Sequence, residues 1–339
     1  MMNTTQKFFI TVGAGIALML VIMTTQACAD VRQTVDKQFS VDAGGTLIID
    51  SDRGSIEIKT VEENEVKVSV IYEADVMSEQ KAESIFEDFV VDFSQKGNNV
   101  IISGKVDKDL LGIFDGNNRL RIKYKVTVPE RFNAELATAG GSIIVGDLHG
   151  KLQAKTAGGS LDFGNITGKV DGKTAGGSIK MQSAGDDVDL KTAGGSITVG
   201  PVNGDAEAIT SGGSVRIGEV SGTLVAHTSG GSISIDGVGG SIDAKASGGS
   251  IRASVTEQPK DDCQLTTSGG SISVSLPENI GLNIKARTYG GKVSTDLPIT
   301  VRGEISKSHI EGTLNGGGPA MILETSGGNI SITKSKELL

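Results

Sequence analysis

Tryptophan is absent from the 339-residue chain, aromatic residues make up 4% of it, and cysteine, histidine and proline number only two, three and six. The shortage of aromatics excludes a core built in the usual way, because Phe, Tyr and Trp normally supply much of the buried area. Two cysteines exclude a disulfide-stapled scaffold. His149, His227 and His309 stand far apart without zinc-type spacing, which argues against a zinc centre and for solvated surface side chains. Positive charge is also short: 32 Lys and Arg against 41 Asp and Glu leave a formal net charge of −9. A phosphate-backbone binder needs the opposite balance to displace counterions, so nucleic acid is excluded as a partner. What abounds is glycine, 48 residues, about twice the usual share. Abundant Ile, Val and Leu alongside 22% charged residues argue against disorder.

The first residues read as a targeting segment. Lys7 precedes an apolar run from Phe8 to Met23, and Ala27-Cys28-Ala29 has the small-x-small form that signal peptidase cuts. A signal peptide over 1–29 is expected, leaving a mature chain from Asp30 that is one charge more negative. Two lesser alternatives would tie the chain to a membrane. One is an uncleaved anchor, for which the run is short. The other is lipidation of Cys28, which Thr25 disfavours because a lipobox carries Leu there. Loss of Cys28 leaves Cys263 alone.

Internal repeats organise the remainder. Gly-Gly pairs begin at Gly140, Gly158, Gly176, Gly194, Gly212, Gly230 and Gly248 with a constant spacing of 18, and others follow at Gly269, Gly290 and Gly327. A second glycine register, including Gly146, Gly164, Gly200 and Gly218, gives each repeat another corner. Between corners, apolar residues alternate with polar ones. Ile143, Leu161, Ile179, Ile197, Val215, Ile233 and Ile251 form one column, and Leu152, Val170, Val188, Ala206, Leu224, Ile242 and Cys263 another. Asp162, Lys180, Thr198, Arg216, Ser234 and Arg252 point the other way. Short alternating strands with fixed glycine corners predict an all-β, right-handed parallel β-solenoid of 18-residue coils, the hand following the bias of parallel crossovers. The glycines are expected to occupy bends that side chains would obstruct, and Cys263 to be an inert buried thiol.

Residues 30–130 are less regular, with strand alternation at 46–49, 54–58 and 66–70. One helix is predicted after Ser78, where Ala82, Ile85, Phe86 and Phe89 follow helical spacing. This stretch reads as an N-terminal cap continuous with a repeat region and C-terminal cap over 131–339. From Pro298 to Met321 the period breaks, and Asn315-Gly316-Gly317-Gly318-Pro319 marks a turn.

The Thr-Ala-Gly-Gly-Ser and Thr-Ser-Gly-Gly-Ser copies, Tyr124-Lys125-Val126-Thr127-Val128-Pro129 before them, and Ile310 to Gly318 followed by Thr325-Ser326-Gly327-Gly328-Asn329-Ile330 resemble the bacterial DUF4097 group, which carries an adhesin label. The resemblance covers nearly the whole mature chain. It implies an exported, solenoid-like domain, associated with envelope stress systems in some members, and supplies no catalytic residues.

The residues themselves point away from catalysis. Asp186-Asp187 and Asp261-Asp262 are acidic pairs such as carbohydrate-active β-helices use, but both fall in or near turns, where Asp is common for backbone reasons. Calcium-binding β-rolls need Gly-Gly-x-Gly-x-Asp, and here Ser and Ile fill the third and fourth positions. No glycine run opens a helix after a strand, so a phosphate cradle is absent too. No cofactor or metal is expected. Thr138, Thr156, Thr174, Thr192, Thr210, Thr228, Thr267 and Thr288 share the inward parity and are expected, with the Ser column after each Gly pair, to satisfy backbone groups at the corner. Lys173 and Lys191 each follow an acid two residues earlier, which reads as register control. The loop residues Leu110, Leu111, Ile113 and Phe114 are either packed against the cap or a partner-binding patch. The sequence thus predicts a non-enzymatic, exported envelope protein binding an unidentified surface, glycan or protein. A self-assembling or stress-linked envelope protein is one alternative, and a carbohydrate-active enzyme a weaker one.

Overall fold

The computed structural model describes residues 21–25, 30–76, 78–106, 120–301 and 306–335. The segment expected to be a leader, Cys28 included, lies outside the described residues apart from the strand Val21–Thr25, and Leu110, Leu111, Ile113 and Phe114 lie outside them as well. The described residues are mostly β with one helix, and the chain divides into two compact units, Met1–Gly164 and Asn165–Leu339.

In the first unit, alternation dictates which face of each strand is dry. Thr46–Ser51, Ser55–Val61 and Glu65–Asp75 bury Leu47, Ile49, Ile56, Ile58, Val66 and Val68 while the residues between them reach outward. One sheet runs from Asp30–Ser40 through Glu65–Asp75 to Leu120–Pro129 with antiparallel pairing, then continues in parallel through Ser55–Val61 to Ile143–Val145 and residues 161–163. The other begins with the antiparallel pair Phe89–Lys96 and Asn99–Val106 and continues in parallel through Thr46–Ser51 and Asn133–Thr138 to Leu152–Thr156. Thr46–Ser51 therefore lies between Asn99–Val106 and Asn133–Thr138, and Ser55–Val61 between Leu120–Pro129 and Ile143–Val145, so chain order and stacking order differ here.

The helix spans Glu79–Glu87 after Ser78, where the spacing predicts one, but Phe89 of that pattern opens the next strand; the Ser78 side chain makes no cap bond and its carbonyl accepts the Ala82 N–H at 3.0 Å. Ala82 and Phe86 are buried and Ile85 is half-buried. The rings of Phe86 and Phe89 meet Tyr72 edge to face at 5.7 and 6.4 Å. That aromatic cluster fastens the helix to the flanking strands. The antiparallel strands, rather than the helix, prolong the two sheets beyond the parallel stack.

The second unit is built from parallel strands in two sheets. From Val170–Thr174 one sheet passes through Val188–Thr192, Ala206–Thr210, Leu224–Thr228 and Ile242–Ala246 to Cys263–Thr267. From Ile179–Ala184 the other passes through Ile197–Val199, Val215–Val220, Ile233–Val238 and Ile251–Val255 to Ile272–Leu276. Partners stand 18 apart in sequence, as in Val188 facing Ala206 and Ala206 facing Leu224, until the last step of each sheet, where Asp243 faces Gln264 and Ile251 faces Ile272. Inward columns are buried throughout, with small Ala208, Ala226 and Ala244 among them.

Stacking order departs from chain order again near the end. The glycine spacing suggests that the strands around Gly290 follow those around Gly269. Instead Cys263 pairs with Met321 and Ile272 with Ile330, while Leu282–Thr288 and Val293–Thr295 pair with the far side of the same inserted strands, Ala320–Thr325 and Ile330–Lys334. His309–Leu314 then pairs antiparallel with Leu282–Thr288. The turn marked by Asn315-Gly316-Gly317 is present, and all three residues have positive φ.

Candidate binding faces

Most of the Gly-Gly corners are small hydrogen-bonding devices written by a Thr-x-Gly-Gly-Ser cassette, with Ala246 in the Thr place before Gly248 and Lys292 and Asn329 in the Ser place after Gly291 and Gly328. The Thr side chain is buried and its Oγ1 donates to a glycine carbonyl of the preceding coil, Thr192 to Gly177 at 2.7 Å, Thr210 to Gly195 at 2.7 Å and Thr228 to Gly213 at 2.6 Å. The same oxygens accept the N–H three residues on, from Gly195, Gly213 and Gly231 at 3.2–3.4 Å. The Ser after the pair continues the ladder where the strand has bent away. Ser196, Ser214 and Ser232 accept the backbone N–H of Ser214, Ser232 and Ser250 at 3.1–3.2 Å. Corner backbone that would be buried without partners is thereby satisfied.

Steric pressure at these corners is concentrated on the second glycine of each pair. A methyl group on Gly141 would come within 2.0 Å of the Gly54 carbonyl oxygen, one on Gly213 within 2.3 Å of Gly195, and one on Gly249 within 2.1 Å of Gly231. The first glycines are more varied. A methyl on Gly140 would meet nothing within 4 Å and one on Gly158 only atoms at 3.9 Å, whereas those on Gly194, Gly212, Gly230 and Gly248 would approach the stacked carbonyls of Gly176, Gly194, Gly212 and Gly230 at 2.6–3.1 Å. None of these corner glycines has positive φ, so close backbone approach alone calls for glycine.

The opposite corner absorbs the acidic pair. Asp187 Oδ1 accepts the Asp205 N–H at 3.1 Å and Asp205 Oδ1 accepts the Thr223 N–H at 2.7 Å. That backbone bond, with Lys169 at 3.3 Å, holds the Asp187 carboxyl below its ordinary range. Asp262 likewise accepts the Ala320 N–H at 2.7 Å. These carboxylates pin coils together and are not presented as an acid–base pair. Among the described residues no group of three or more His, Cys, Asp or Glu is placed to hold a metal ion. No described helix is long and apolar enough to cross a membrane. Cys263 is fully buried, and burial pushes its thiol pKa up.

With the corners internally satisfied, the outward columns of the second unit are what solvent meets. One sheet stacks Asp171, Asp189 and Glu207 beside Lys173 and Lys191, and both lysines are paired within and across coils at 3.0–3.7 Å. Hydrogen bonds to Asp171 and Asp189 raise the two lysine pKa values. His227 and Lys245 share Asp243 at 3.5 and 2.9 Å. The other sheet aligns Lys180, Thr198, Arg216, Ser234, Arg252, Ser273 and Ser331 in one register column. Lys180, Arg216 and Arg252 are exposed there. Sequence reasoning placed these residues outward without seeing that Lys173, Lys191 and Lys245 are paired on one face while Lys180, Arg216 and Arg252 are open on the other; alternation predicts direction, and pairing depends on the neighbouring column. It also missed Tyr289, 72% exposed beneath the Arg287 guanidinium at 5.0 Å, because the cassette normally carries Ala or Ser at that position.

A family model described as Toastrack DUF4097 matches residues 45–333. No curated protein matches the chain. Among solved structures, a "putative cell adhesion protein" from Clostridium sporogenes ATCC 15579 is 15% identical, with 88% of this chain and 99% of that chain covered at a TM-score of 0.21. A "putative adhesin" from Parabacteroides distasonis ATCC 8503 is 13% identical over 89% of this chain and 97% of that chain, with a TM-score of 0.43. A "putative lipid binding protein" from the same organism is 14% identical over 89% and 97%, with a TM-score of 0.34.

Proposed function

The chain belongs to the DUF4097 family, and from that membership we propose that the mature protein is an exported, non-enzymatic envelope component whose repetitive outer faces bind a surface by many weak, regularly spaced contacts. The fold in this reading is a right-handed solenoid of 18-residue coils. The observation that carries it is the in-register repetition of outward side chains. Thr and Ser at the corners are engaged in the stack, so the groups left facing solvent recur once per coil along a column. Linked weak contacts on a rigid template reach useful avidity without a pocket, provided the ligand matches the repeat. Lys7, the apolar run and Ala27-Cys28-Ala29 support export.

Two measurements test the proposal together. Cell fractionation with N-terminal sequencing should find the chain outside the cytoplasm and starting at Asp30; an intact N-terminus confined to the cytoplasm would overturn export. Beads coated with the mature chain should be retained on envelope preparations more than uncoated beads, and equal retention would overturn the binding role.

A further inference from the structure

We propose that the column Lys180–Thr198–Arg216–Ser234–Arg252–Ser273 is a docking strip for an extended acidic polysaccharide that presents carboxylates toward the strip at every second sugar. This inference rests on the binding role proposed above and names its ligand class. The column is continuous in register, with cations on every second coil and hydroxyls on the coils between. Strands stacked about 4.8 Å apart place successive cations about 9.6 Å apart, an interval of the order of one disaccharide in an extended β-linked chain. Among the described residues, no carboxylate forms an ion pair with Lys180, Arg216 or Arg252, in a chain where acids outnumber bases 41 to 32. On the opposite face Lys173, Lys191 and Lys245 are neutralised by their own aspartates, a pairing that Lys180, Arg216 and Arg252 lack among the described residues.

The neighbouring columns suit a sugar strand. Gly200 and Gly218 leave the next column bare at two adjacent coils, and Ser196, Ser214, Ser232 and Ser250 run along the other side with hydroxyls already oriented by the corner ladder. Arginine forks grip carboxylates with two parallel bonds, and the intervening hydroxyls can exchange hydrogen bonds with sugar hydroxyls. A nucleic-acid strand fits poorly, since its charges recur about every 3.4 Å of axis and the column offers no aromatic ring for base stacking. The exposed carboxylate of Asp236, two residues along from Ser234, weakens the strip between the two arginines.

The test is affinity electrophoresis and surface binding of the full mature chain on a β-1,4-linked polyuronate, with a β-1,4-glucan of equal length, single-stranded DNA and phosphatidylglycerol vesicles as comparisons. The polyuronate should bind best, with affinity falling as salt rises. Lys180→Gln, Arg216→Gln and Arg252→Gln should each weaken binding about 3-fold and together about 30-fold, and Asp236→Asn should strengthen it. Lys173→Gln with Lys191→Gln, on the other face, should leave it unchanged. Equal binding of the neutral glucan, DNA or the vesicles, or undiminished binding by the triple variant, would overturn the strip. If the triple variant still adheres to envelope preparations as wild type does, the polysaccharide inference fails and the binding role survives; if wild type does not adhere at all, the binding role fails.

Discussion

Adjacent glycines in one corner offer a sharp test, because the same substitution is expected to act in opposite directions. At Gly141, a methyl group would stand 2.0 Å from the Gly54 carbonyl oxygen, 2.3 Å from its carbon and 2.4 Å from the Ser55 nitrogen. All three atoms are backbone, two of them in Gly54 and one in Ser55, which opens a strand held in parallel register on both sides, so none can swing away as a side chain would. Relief requires prising stacked coils apart and stretching ladder bonds such as that from Ile56 N–H to the Ser142 carbonyl at 2.9 Å. Ordinary overpacking costs about 1–3 kcal/mol, and a clash confined to backbone belongs at or above the upper end. At Gly140, a methyl group meets nothing within 4 Å and φ is not positive. Gly140→Ala should therefore stabilise by about 0.4–1 kcal/mol by restricting the unfolded chain. Thermal and denaturant unfolding of the mature chain compares the two variants, and native-state hydrogen exchange shows whether loss is local to the 46–61 and 133–145 strands, as quasi-one-dimensional stability implies. A neutral Gly141→Ala, or a Gly140→Ala as damaging as its neighbour, would refute the close-approach account of the corners.

Thr210→Val keeps the shape of the side chain but leaves the Gly195 carbonyl and the Gly213 N–H without their hydroxyl partner, and should lower stability by about 1–3 kcal/mol in denaturant unfolding, whereas Thr210→Ser should retain part of it. Cys263, buried and with its thiol pKa raised, should resist alkylation at pH 8 in the native chain and react once unfolded; rapid native labelling would contradict its placement. Burial pushes the Glu73 carboxyl up, but its hydrogen bond to Lys123 at 3.1 Å and the charges of Lys123, Arg32 and Arg121 carry it below the ordinary 4.5. A depressed carboxyl contributes stability that is full above the unfolded value and is lost as pH falls through the lower folded value. The stability difference between wild type and Glu73→Gln should accordingly be present at pH 7 and shrink toward pH 3, and a difference constant across that range would contradict the ion-pair assignment.

Much of the strand architecture is legible because each coil repeats the local problem solved by the last. The column from Ile179 to Ile251 and the opposing one from Val170 to Cys263 are buried as their parity requires, and Thr and Ser occupy the corner roles that backbone satisfaction assigns them. Less legible is which glycine of a pair is indispensable, since Gly140 and Gly141 look alike in sequence and differ only in what lies one coil away. Stacking order at the two irregular regions is also hidden. Gly269 and Gly290 are neighbours in the period, yet Gly327 lies against Gly269, because a strand's own alternation selects its dry face and not its partner. Cation pairing had the same obstacle: Lys173 and Lys180 are both outward lysines, and only the columns beside them separate a neutralised side chain from an open one.

The inserted strands 320–334 have a mechanical consequence. An array stacked strictly in chain order can unravel by peeling from the tip, one turn at a time. Here the strands 320–334, later in the chain than both their neighbours, are wedged between 263–276 and 282–295, gripped by a ladder on either side. Drawing these strands out must therefore break two rows of bonds at once, so resistance to fraying under shear or proteolysis is built into the threading order and owes nothing to a crosslink.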